Sequence, residues 1–361
     1  MELEKQNILF LTRTMNLGGT ENVILQLCEI FNPKVNKIVV CSCGGVNVEK
    51  LNKMGIKHYK ISDIASKNPN VMLKTFFKIK KIIKDEKITV IHSHHRMAAL
   101  YARVTANKNI VRIANAHNTF YDKKKLTRFA YNRTNLIAVG QMVKKNLVDY
   151  FELPQDQVKV IHNAVKPFEQ DIETLEILNK EKQKGYTLIG NVGRLSEQKG
   201  IEYFIEAASK VHKNNSKIKF VIVGEGEDRN KLEKLAEEKK IEEYVIFLGY
   251  RSDIQNVIRQ MDFIVLSSLW EGLPLTPIEA FSVGKTVVAT NVDGTPEIVQ
   301  DGENGYLVEP KDSEALAERM LYLSENKNKR EELEIGAKKT YDEEFAFEQL
   351  TQRYIDYYER L

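Results

Sequence analysis

Two carboxylates stand eight positions apart in the segment SLWEGLPLTPIEAFSVG, residues 268–284. Glu271 and Glu279 flank a turn with a glycine and two prolines, and no other acid lies between them. Such carboxylates are suited to accept hydrogen bonds from sugar hydroxyls. A structural interpretation competes for Glu279, because Thr276, Pro277 and Glu279 match a helix capping box. Glu271 precedes the predicted helix and has no such explanation.

A second group of residues is suited to hold an anion. Arg194 and Lys199 follow the predicted strand YTLIGNVG and precede a predicted helix, where the helix dipole and free N–H groups favour negative charge. The adjoining Gly193 and Gly200 allow a ligand close to the backbone. Solvated surface charges remain the alternative. The backbone N–H groups expected to face an anion from the other segment are those of Gly272, Leu273 and Leu275.

The histidines give weaker indications. In HSHH, strand alternation sends His92 and His94 to one face and His95 to the other, and no acid cluster completes a metal site. The chain also lacks Asp-x-Asp, the usual arrangement for a divalent ion on a nucleotide diphosphate. We therefore expect no metal and no cofactor. His117 ends the predicted strand VRIANAH, where it either contacts a ligand or orders the loop.

The elements that must position these residues alternate between short β-branched strands and helices, which is typical of parallel βαβ units. The first series of predicted strands is NILFLT, NKIVVCSC, TVIHSH, VRIANAH, NLIAVG and VKVIHNAV. The second series is YTLIGNVG, KFVIVG, VIFLG, FIVLSS, TVVATNV and GYLV. Two doubly wound parallel sheets are expected. Between the series, the charged residues 166–185 indicate an interdomain connection, and FEQLTQRYIDYYERL predicts a terminal helix.

Composition narrows the class of protein. A chain of 361 residues with 42% hydrophobic residues suits two domains. No apolar run is long enough to span a bilayer, and the start has no secretory signal. The three cysteines, Cys28, Cys41 and Cys43, lack zinc-type spacing and are expected to be reduced. The predicted location is the cytoplasm.

The charge is unevenly distributed. Residues 1–166 hold 28 of the 54 basic and 12 of the 50 acidic residues, so the net charge of +4 hides a basic first half and an acidic second half. A basic surface attracts anionic membrane or a phosphorylated ligand. No nucleic-acid-binding module accompanies it, so nucleic acid is not an expected partner. The basic residues that could face anionic lipid, unless they are simply solvated, are Lys78, Lys80, Lys81, Lys84, Lys123, Lys124, Lys125 and Arg128.

The loop LTRTMNLGGTE follows the first strand, and Gly18 and Gly19 open the next helix. It lacks the full G-x-G-x-x-G fingerprint, as does GEGED after KFVIVG, so a nicotinamide dehydrogenase is disfavoured. Taken with EGLPLTPIEA, GRLSEQKG and GTPEIVQDGENGYLV, the loop resembles the retaining glycosyltransferases of family GT4. EGLPLTPIEA matches that family's E-x7-E motif. Asp293-Gly294 stands where a Gly-Gly pair is common.

The resemblance implies a GT-B fold: two Rossmann-like domains facing across a cleft, with domains at 1–166 and 167–340 and a helix at 341–361 that crosses back to the first domain. It implies a catalytic role for Glu271, Arg194, Lys199 and His117. Arg194 and Lys199 would hold the diphosphate, Glu271 the sugar, Glu279 the ribose, and His117 the sugar from the other domain. The residues implied to bind the donor are Gly18, Gly19, Arg194, Lys199, Tyr250, Glu271, Gly272, Leu273, Pro274, Leu275, Thr276 and Glu279.

The implied activity is metal-independent transfer of a hexose or N-acetylhexosamine from a nucleotide sugar, with UDP favoured as the nucleotide. The acceptor would be a saccharide, free or lipid-linked, as in bacterial polysaccharide assembly, with peripheral contact to the anionic inner face of the membrane. Two alternatives stay open. A GT-B-fold nucleotide-sugar epimerase would share the architecture, and a non-catalytic binding protein would be expected to lack Glu271 or Arg194.

Overall fold

Two units make up the computed structural model, which describes residues 1–168 and 173–361. The first unit joins Met1–Asn163 to Leu350–Leu361, and the second is Ala164–Gln349. The boundaries predicted from the sequence lie after residues 166 and 340, whereas the two units divide after Asn163 and after Gln349. Each unit contains one sheet, and the paired strands of both sheets run parallel.

The first unit is built on a seven-stranded sheet. Its strands are β1 (Asn7–Leu11), β2 (Lys37–Ser42), β3 (Lys57–Lys60), β4 (Val90–Ser93), β5 (Val111–Ala116), β6 (Asn135–Ala138) and β7 (Val158–Val160). Their order is β3-β2-β1-β4-β5-β6-β7, so the winding reverses between β1 and β4. The helices are α1 (Gly19–Phe31), α2 (Val48–Lys53), α3 (Pro69–Asp85), α4 (Arg96–Thr105), α5 (Lys124–Tyr131) and α6 (Gln141–Lys145).

Six strands of this sheet were predicted, and β3 was missed. Its sequence, KHYK, is polar and none of its four residues is buried, because β3 is an edge strand that only β2 pairs. By contrast, every residue of β1 and β4 is buried, as expected for central strands covered on both faces. The predicted strand VKVIHNAV is shorter in the structure, since β7 ends at Val160.

The second unit has a six-stranded sheet with all six predicted strands. They are β8 (Thr187–Val192), β9 (Ile218–Val223), β10 (Val245–Gly249), β11 (Phe263–Leu266), β12 (Val287–Thr290) and β13 (Gly305–Val308). The order β10-β9-β8-β11-β12-β13 reverses between β8 and β11. Its helices are α7 (Glu176–Gln183), α8 (Ile201–Asn214), α9 (Arg229–Glu238), α10 (Ile254–Arg259), α11 (Leu275–Ser282), α12 (Ser313–Glu325) and α13 (Lys327–Thr340).

The segment predicted to connect the domains contains α7 and lies within the second unit. Its residues 169–172 lie outside the described part of the chain. The last helix, α14 (Phe347–Glu359), begins later than residue 341, because Tyr341–Phe345 forms a separate π-helical turn. From α14, Tyr354 and Tyr358 are buried in the first unit, where the ring of Tyr358 lies 4.3 Å from that of Phe31, centroid to centroid. In the described ranges, no helix combines the length and the apolar composition that a bilayer-crossing segment requires.

Candidate active site

The second sheet places the two predicted motifs side by side. Its strand order reverses between β8 and β11, and in open α/β sheets ligands bind at the carboxyl ends of the strands at such a reversal. The loop after β8 carries Arg194 and Lys199. The loop after β11 carries Glu271. The topology alone therefore brings the predicted cations and the predicted acid to one edge.

Hydrogen bonds hold these two loops together. Leu269 donates its backbone N–H to the carbonyl of Gln198 at 2.8 Å, and the Ser267 hydroxyl donates to the carbonyl of Lys199 at 3.0 Å. Gly200 has φ +53°, and a Cβ there would lie 2.3 Å from the Ser267 carbonyl oxygen. Only glycine fits this left-handed, closely packed position, so the glycine of GRLSEQKG is a packing requirement.

Glu271 is buried, and its carboxylate is held by two neighbouring side chains through one oxygen. Its side chain is paired with the Lys199 ammonium, and its Oε1 accepts from the Ser268 hydroxyl at 2.7 Å. The residue as a whole is 7% exposed. Its backbone N–H donates to Asp293 Oδ2 at 2.7 Å. Ser268 and Lys199 thus fix the position of the carboxylate, and Asp293 fixes the backbone that carries it.

Asp293 is the residue that sequence reasoning missed at this site. It has φ 42°, a left-handed conformation in which aspartate is tolerated, and its carboxylate anchors the Glu271 loop. The Asp-Gly pair was noted only as a departure from Gly-Gly. An aspartate in a turn after a strand was the available signal, and the three-dimensional packing was needed to connect it with Glu271.

The predicted capping box is wrong. Helix α11 begins at Leu275 with Pro274 before it, and no side chain caps it. The Thr276 hydroxyl instead donates to the carbonyl of Val192, the last residue of β8, at 3.3 Å. Proline cannot cap with a side chain, so the first turn of α11 keeps its N–H groups available. In residues 1–168 and 173–361, no acceptor is hydrogen-bonded to the backbone N–H of Gly272, Leu273 or Leu275.

Without a capping role, Glu279 lies on α11 with a carboxylate that forms no hydrogen bond to any described residue. Burial raises the pKa of Glu279 to about 7, and the nearby Lys199 charge lowers it by a smaller amount. A carboxylate held unpaired in a desolvated position is costly, and such groups are frequent at binding sites. Glu279 is therefore better explained by a ligand than by the helix.

Arg194 is exposed, and its guanidinium has no ion-pair partner among the described residues. The loop that supports it comes from β9. There Gly224 has φ +140°, and a Cβ would lie 1.9 Å from the Gly193 carbonyl oxygen. Leu195 also donates to the carbonyl of Glu225 at 3.0 Å. The sequence GEGED, discounted as a dinucleotide fingerprint, thus supports the arginine loop.

Tyr250 is not brought to this cluster by any described contact. It follows β10, the edge strand that β9 separates from β8, and it is 55% exposed. Its predicted role in donor binding stays a prediction.

In the first unit, the rings of three histidines stack at the carboxyl ends of β4 and β5. His92 lies in β4, and His94 and His117 directly follow β4 and β5. The rings of His92 and His94 stack with centroids 4.5 Å apart, and those of His94 and His117 stack at 5.4 Å. His92 Nε2 lies 2.8 Å from Asn115 Oδ1, and His92 Nδ1 lies 2.7 Å from the hydroxyl of Tyr358. An amide oxygen only accepts, so Nε2 of His92 carries the proton and Tyr358 donates to Nδ1.

His117 has one ring nitrogen committed within the protein. Its Nε2 lies 3.2 Å from His94 Nδ1, which leaves His117 Nδ1 for a ligand. Burial lowers the pKa of His92 to about 3 and that of His117 to about 4, so both rings are neutral at pH 7. His94 Nε2 is buried with no partner in the described ranges. A neutral His117 can hydrogen-bond a hydroxyl but cannot supply positive charge to a phosphate.

The loop that contains Gly18 and Gly19 follows β1, so it lies at the carboxyl ends of the strands of the first sheet, as the histidines do. Gly18 precedes α1 and Gly19 begins it, so their N–H groups belong to a helix start that follows β1. Within the described ranges, no three His, Cys, Asp or Glu side chains are grouped so that they could hold a metal ion.

Two Rossmann-like units, each with a doubly wound parallel sheet, are the architecture of the GT-B glycosyltransferases. The model "Glycosyl transferases group 1" matches residues 173–340, and the model "Glycosyltransferase Family 4" matches residues 17–167. The chain belongs to glycosyltransferase family 4.

Relatives agree with this assignment. An uncharacterised glycosyltransferase of Methanocaldococcus jannaschii is 31% identical over 63% of this chain and 60% of its own length. The UDP-Gal:alpha-D-GlcNAc-diphosphoundecaprenol alpha-1,3-galactosyltransferase of Escherichia coli is 26% identical over 86% of each chain. Among solved structures, Anabaena HepE in complex with UDP-glucose superposes with a TM-score of 0.84 and 20% identity, covering 98% of this chain and all of that one.

Proposed function

We propose that the protein transfers a hexose or N-acetylhexosamine, with retention at the anomeric carbon, from a UDP-sugar to a saccharide or lipid-linked acceptor. The single observation that carries the proposal is the arrangement at the second sheet. A buried Lys199–Glu271 pair lies where the winding reverses, with an unpaired Arg194 and free N–H groups at the start of α11. This arrangement offers donors for a diphosphate and an acceptor for sugar hydroxyls.

The diphosphate is assigned to the cationic part of the site. Arg194 binds phosphate oxygens through two parallel N–H groups, and Lys199 supplies a point charge. The N–H groups of Gly272, Leu273 and Leu275 add the positive end of the helix dipole. These donors face the charge that develops as the UDP leaves, so they stabilise the transition state more than the bound donor.

The two glutamates are assigned to different parts of the donor. Glu271 accepts hydrogen bonds from hydroxyls of the transferred sugar, and its pairing with Lys199 holds its carboxylate next to the cation that faces the diphosphate. Glu279 accepts from the ribose hydroxyls, which would supply the partners that its carboxylate lacks. His117 contacts the sugar through Nδ1, the ring nitrogen that His94 does not use.

The proposed chemistry needs no metal. The bond between the anomeric carbon and the diphosphate oxygen breaks, and the acceptor hydroxyl forms the new bond on the same face. The departing phosphate oxygen takes the hydroxyl proton, so no protein carboxylate acts as nucleophile. Arg194 and Lys199 take the place that a divalent cation has in enzymes with Asp-x-Asp.

The acceptor is assigned by similarity and charge. The Escherichia coli relative acts on a sugar bound to diphosphoundecaprenol, as its name states, and the first half of this chain is strongly basic. We assign a lipid-linked saccharide as the preferred acceptor, reached at the anionic cytoplasmic face of a membrane. Three free cysteines, two of them buried, fit a reducing compartment.

A donor panel tests the proposal. UDP- and GDP-linked glucose, galactose, N-acetylglucosamine and mannose are each incubated with the protein, and slow hydrolysis and thermal stabilisation are recorded. We expect one UDP-sugar to be hydrolysed by the wild type, and Glu271→Gln to bind UDP but to lose hydrolysis. Stabilisation by nucleotide sugars without any release of nucleoside diphosphate would favour a binding protein, and a changed sugar configuration on intact donor would favour an epimerase.

A further inference from the structure

Helix α3 has an outer face that no part of the described chain covers. Its inner face buries Thr75, Ile79, Ile82 and Ile83 against the first sheet. On the outer face Leu73 is 57% and Phe77 is 59% exposed. Exposed large apolar side chains that stand together on one helix face mark an interaction surface more often than scattered ones do.

Lysines flank these two side chains. At 100° per residue, Lys84 lies between Leu73 and Phe77 on the exposed arc, Lys80 lies on one side of them, and Lys81, Lys74 and Lys78 lie on the other side. The one acid on this arc, Asp85, lies between Lys74 and Lys78. The lysines are all exposed, and none forms an ion pair with a described residue: Lys74, Lys78, Lys80, Lys81 and Lys84. A helix face that combines exposed apolar side chains with several lysines is typical of a helix that lies in a membrane interface.

A recess beside the helix adds a place for a phosphate. It is lined by Lys60, at the end of β3, by Lys74 and Lys78 of α3, and by Ile61, Ser62 and Thr75. Three ammonium groups around a recess with a hydroxyl suit a compact, doubly hydrogen-bonded anion. The recess is continuous with the outer face of α3 because they share Lys74 and Lys78.

The second basic region of this unit, around α5, differs in that several of its charges have partners within the protein. On α5, Lys124 and Arg128 are both paired with Glu152, at 2.6 and 2.5 Å. The exposed Phe129 is covered on one side by the guanidinium of Arg103, 4.4 Å from the ring centroid. Acids and cations of the protein itself therefore occupy part of α5. On α3, Lys80 lies 5.6 Å from the ring centroid of Phe76, and none of the five lysines is paired with an acid of the described residues.

We propose that the outer face of α3 docks onto an anionic phospholipid bilayer, with Leu73 and Phe77 inserted among the lipids and a lipid phosphate in the Lys60–Lys74–Lys78 recess. The proposal deepens the function proposed above, on whose membrane-bound acceptor it rests. The charge of this face indicates what binds to it, because five lysines without an acidic partner favour an anionic surface. The exposed Leu73 and Phe77 favour a surface with a hydrocarbon layer, into which apolar side chains can insert.

Vesicle sedimentation with matched variants tests the docking face. The vesicles are phosphatidylcholine with one third phosphatidylglycerol, at low salt and without donor. Replacing Lys78, Lys81 and Lys84 together by glutamine should weaken binding about 100-fold, because each interfacial lysine contributes about fivefold. The control replaces Lys123, Lys124 and Lys125 by glutamine, which changes the net charge equally and should have a much smaller effect.

A second pair of variants keeps the charge constant. Phe77→Ser should lose most of the binding, while Phe129→Ser on α5 should retain it. For direct evidence of insertion, Phe77→Trp is made in a Trp270→Phe background, which leaves one tryptophan in the chain. Its emission should shift to shorter wavelength with anionic vesicles and should not respond to inorganic phosphate.

Three outcomes would overturn the proposal: equal loss in both lysine triples, unchanged binding of Phe77→Ser, or equal binding to soluble phosphate. Donor hydrolysis is measured on the same samples. Because vesicle binding is recorded without donor, a failure of docking leaves the hydrolysis result standing, and a failure of hydrolysis leaves the docking result standing.

Discussion

The pH dependence of UDP binding can distinguish a ligand-binding role of Glu279 from a purely structural role. Burial raises the pKa of its carboxyl to about 7, and the charge of Lys199 lowers it by a smaller amount. Ribose hydroxyls that donate to this carboxyl favour the ionised form, so UDP binding should lower this pKa. Bound UDP therefore favours the ionised carboxylate. The affinity for UDP should fall as the pH is lowered, because protonation of Glu279 competes with UDP binding.

The magnitude follows from that pKa. With a pKa of about 7, about nine-tenths of Glu279 is ionised at pH 8 and about one-tenth at pH 6, so protonation of Glu279 should make UDP bind about fivefold more weakly at pH 6. In Glu279→Gln the acceptor is neutral at every pH. A hydrogen bond to a charged group is worth about 1 kcal/mol more than a neutral one, so the variant should bind about fivefold to tenfold more weakly at pH 8.

The assay is calorimetric titration of UDP into both proteins between pH 5.5 and pH 8.5. The phosphate of UDP also titrates near pH 6, but it contributes equally to both proteins, so the ratio of the two dissociation constants isolates Glu279. That ratio should be about tenfold at pH 8 and near one at pH 5.5. A ratio that is independent of pH would refute the assignment of Glu279 to the nucleotide.

Protein stability provides the control. Since the pKa of Glu279 is raised from 4.5 to about 7, the folded state binds more protons than the unfolded state between those values. Stability from this group is therefore present at low pH and is lost as the pH rises through about 7. Glu279→Gln should be no less stable than the wild type at pH 8, so weaker UDP binding there cannot come from unfolding.

Three further predictions concern neighbouring groups. Asp293→Ala removes the acceptor of the Glu271 N–H and should slow sugar transfer about tenfold or more, since such charged hydrogen bonds are worth about 1.5–3 kcal/mol; Asp293→Asn should restore much of the rate in the same assay. His94→Leu removes the partner of His117 Nε2 and should lower kcat while calorimetry shows UDP affinity unchanged; a loss of UDP affinity instead would contradict the placement of His117 at the sugar. Turnover in excess EDTA should equal turnover with magnesium, and activity that disappears with EDTA and returns with magnesium would contradict the metal-free chemistry.

Most strands and the motif positions could be predicted because each depends on residues that are close together in the sequence. Apolar runs such as FIVLSS are buried on both faces, and β11 is found there. Strand β3 could not be predicted, because an edge strand with the polar sequence KHYK has no hydrophobic pattern to identify it. The pairing of Lys199 with Glu271 required the strand order, since the residues are far apart in the chain.

The helix start at α11 shows how a local pattern can mislead. Thr276, Pro277 and Glu279 have the spacing of a capping box, yet the helix begins one residue before Thr276. Tertiary packing decides the outcome, because the Thr276 hydroxyl bonds to the end of β8. In the same way, the role of Asp293 depends on its contact with the Glu271 loop, which the spacing of residues along the chain cannot predict.

The central claim is that this chain moves a sugar from UDP to an acceptor hydroxyl with retention. The most direct measurement is proton NMR of the reaction with the donor identified by the panel and a lipid-linked or free saccharide acceptor, in the presence of EDTA. The account predicts equal amounts of UDP and of an α-linked product from an α-linked donor, and neither from Glu271→Gln. A β-linked product, a donor epimerised without release of UDP, or full activity in Glu271→Gln would contradict it.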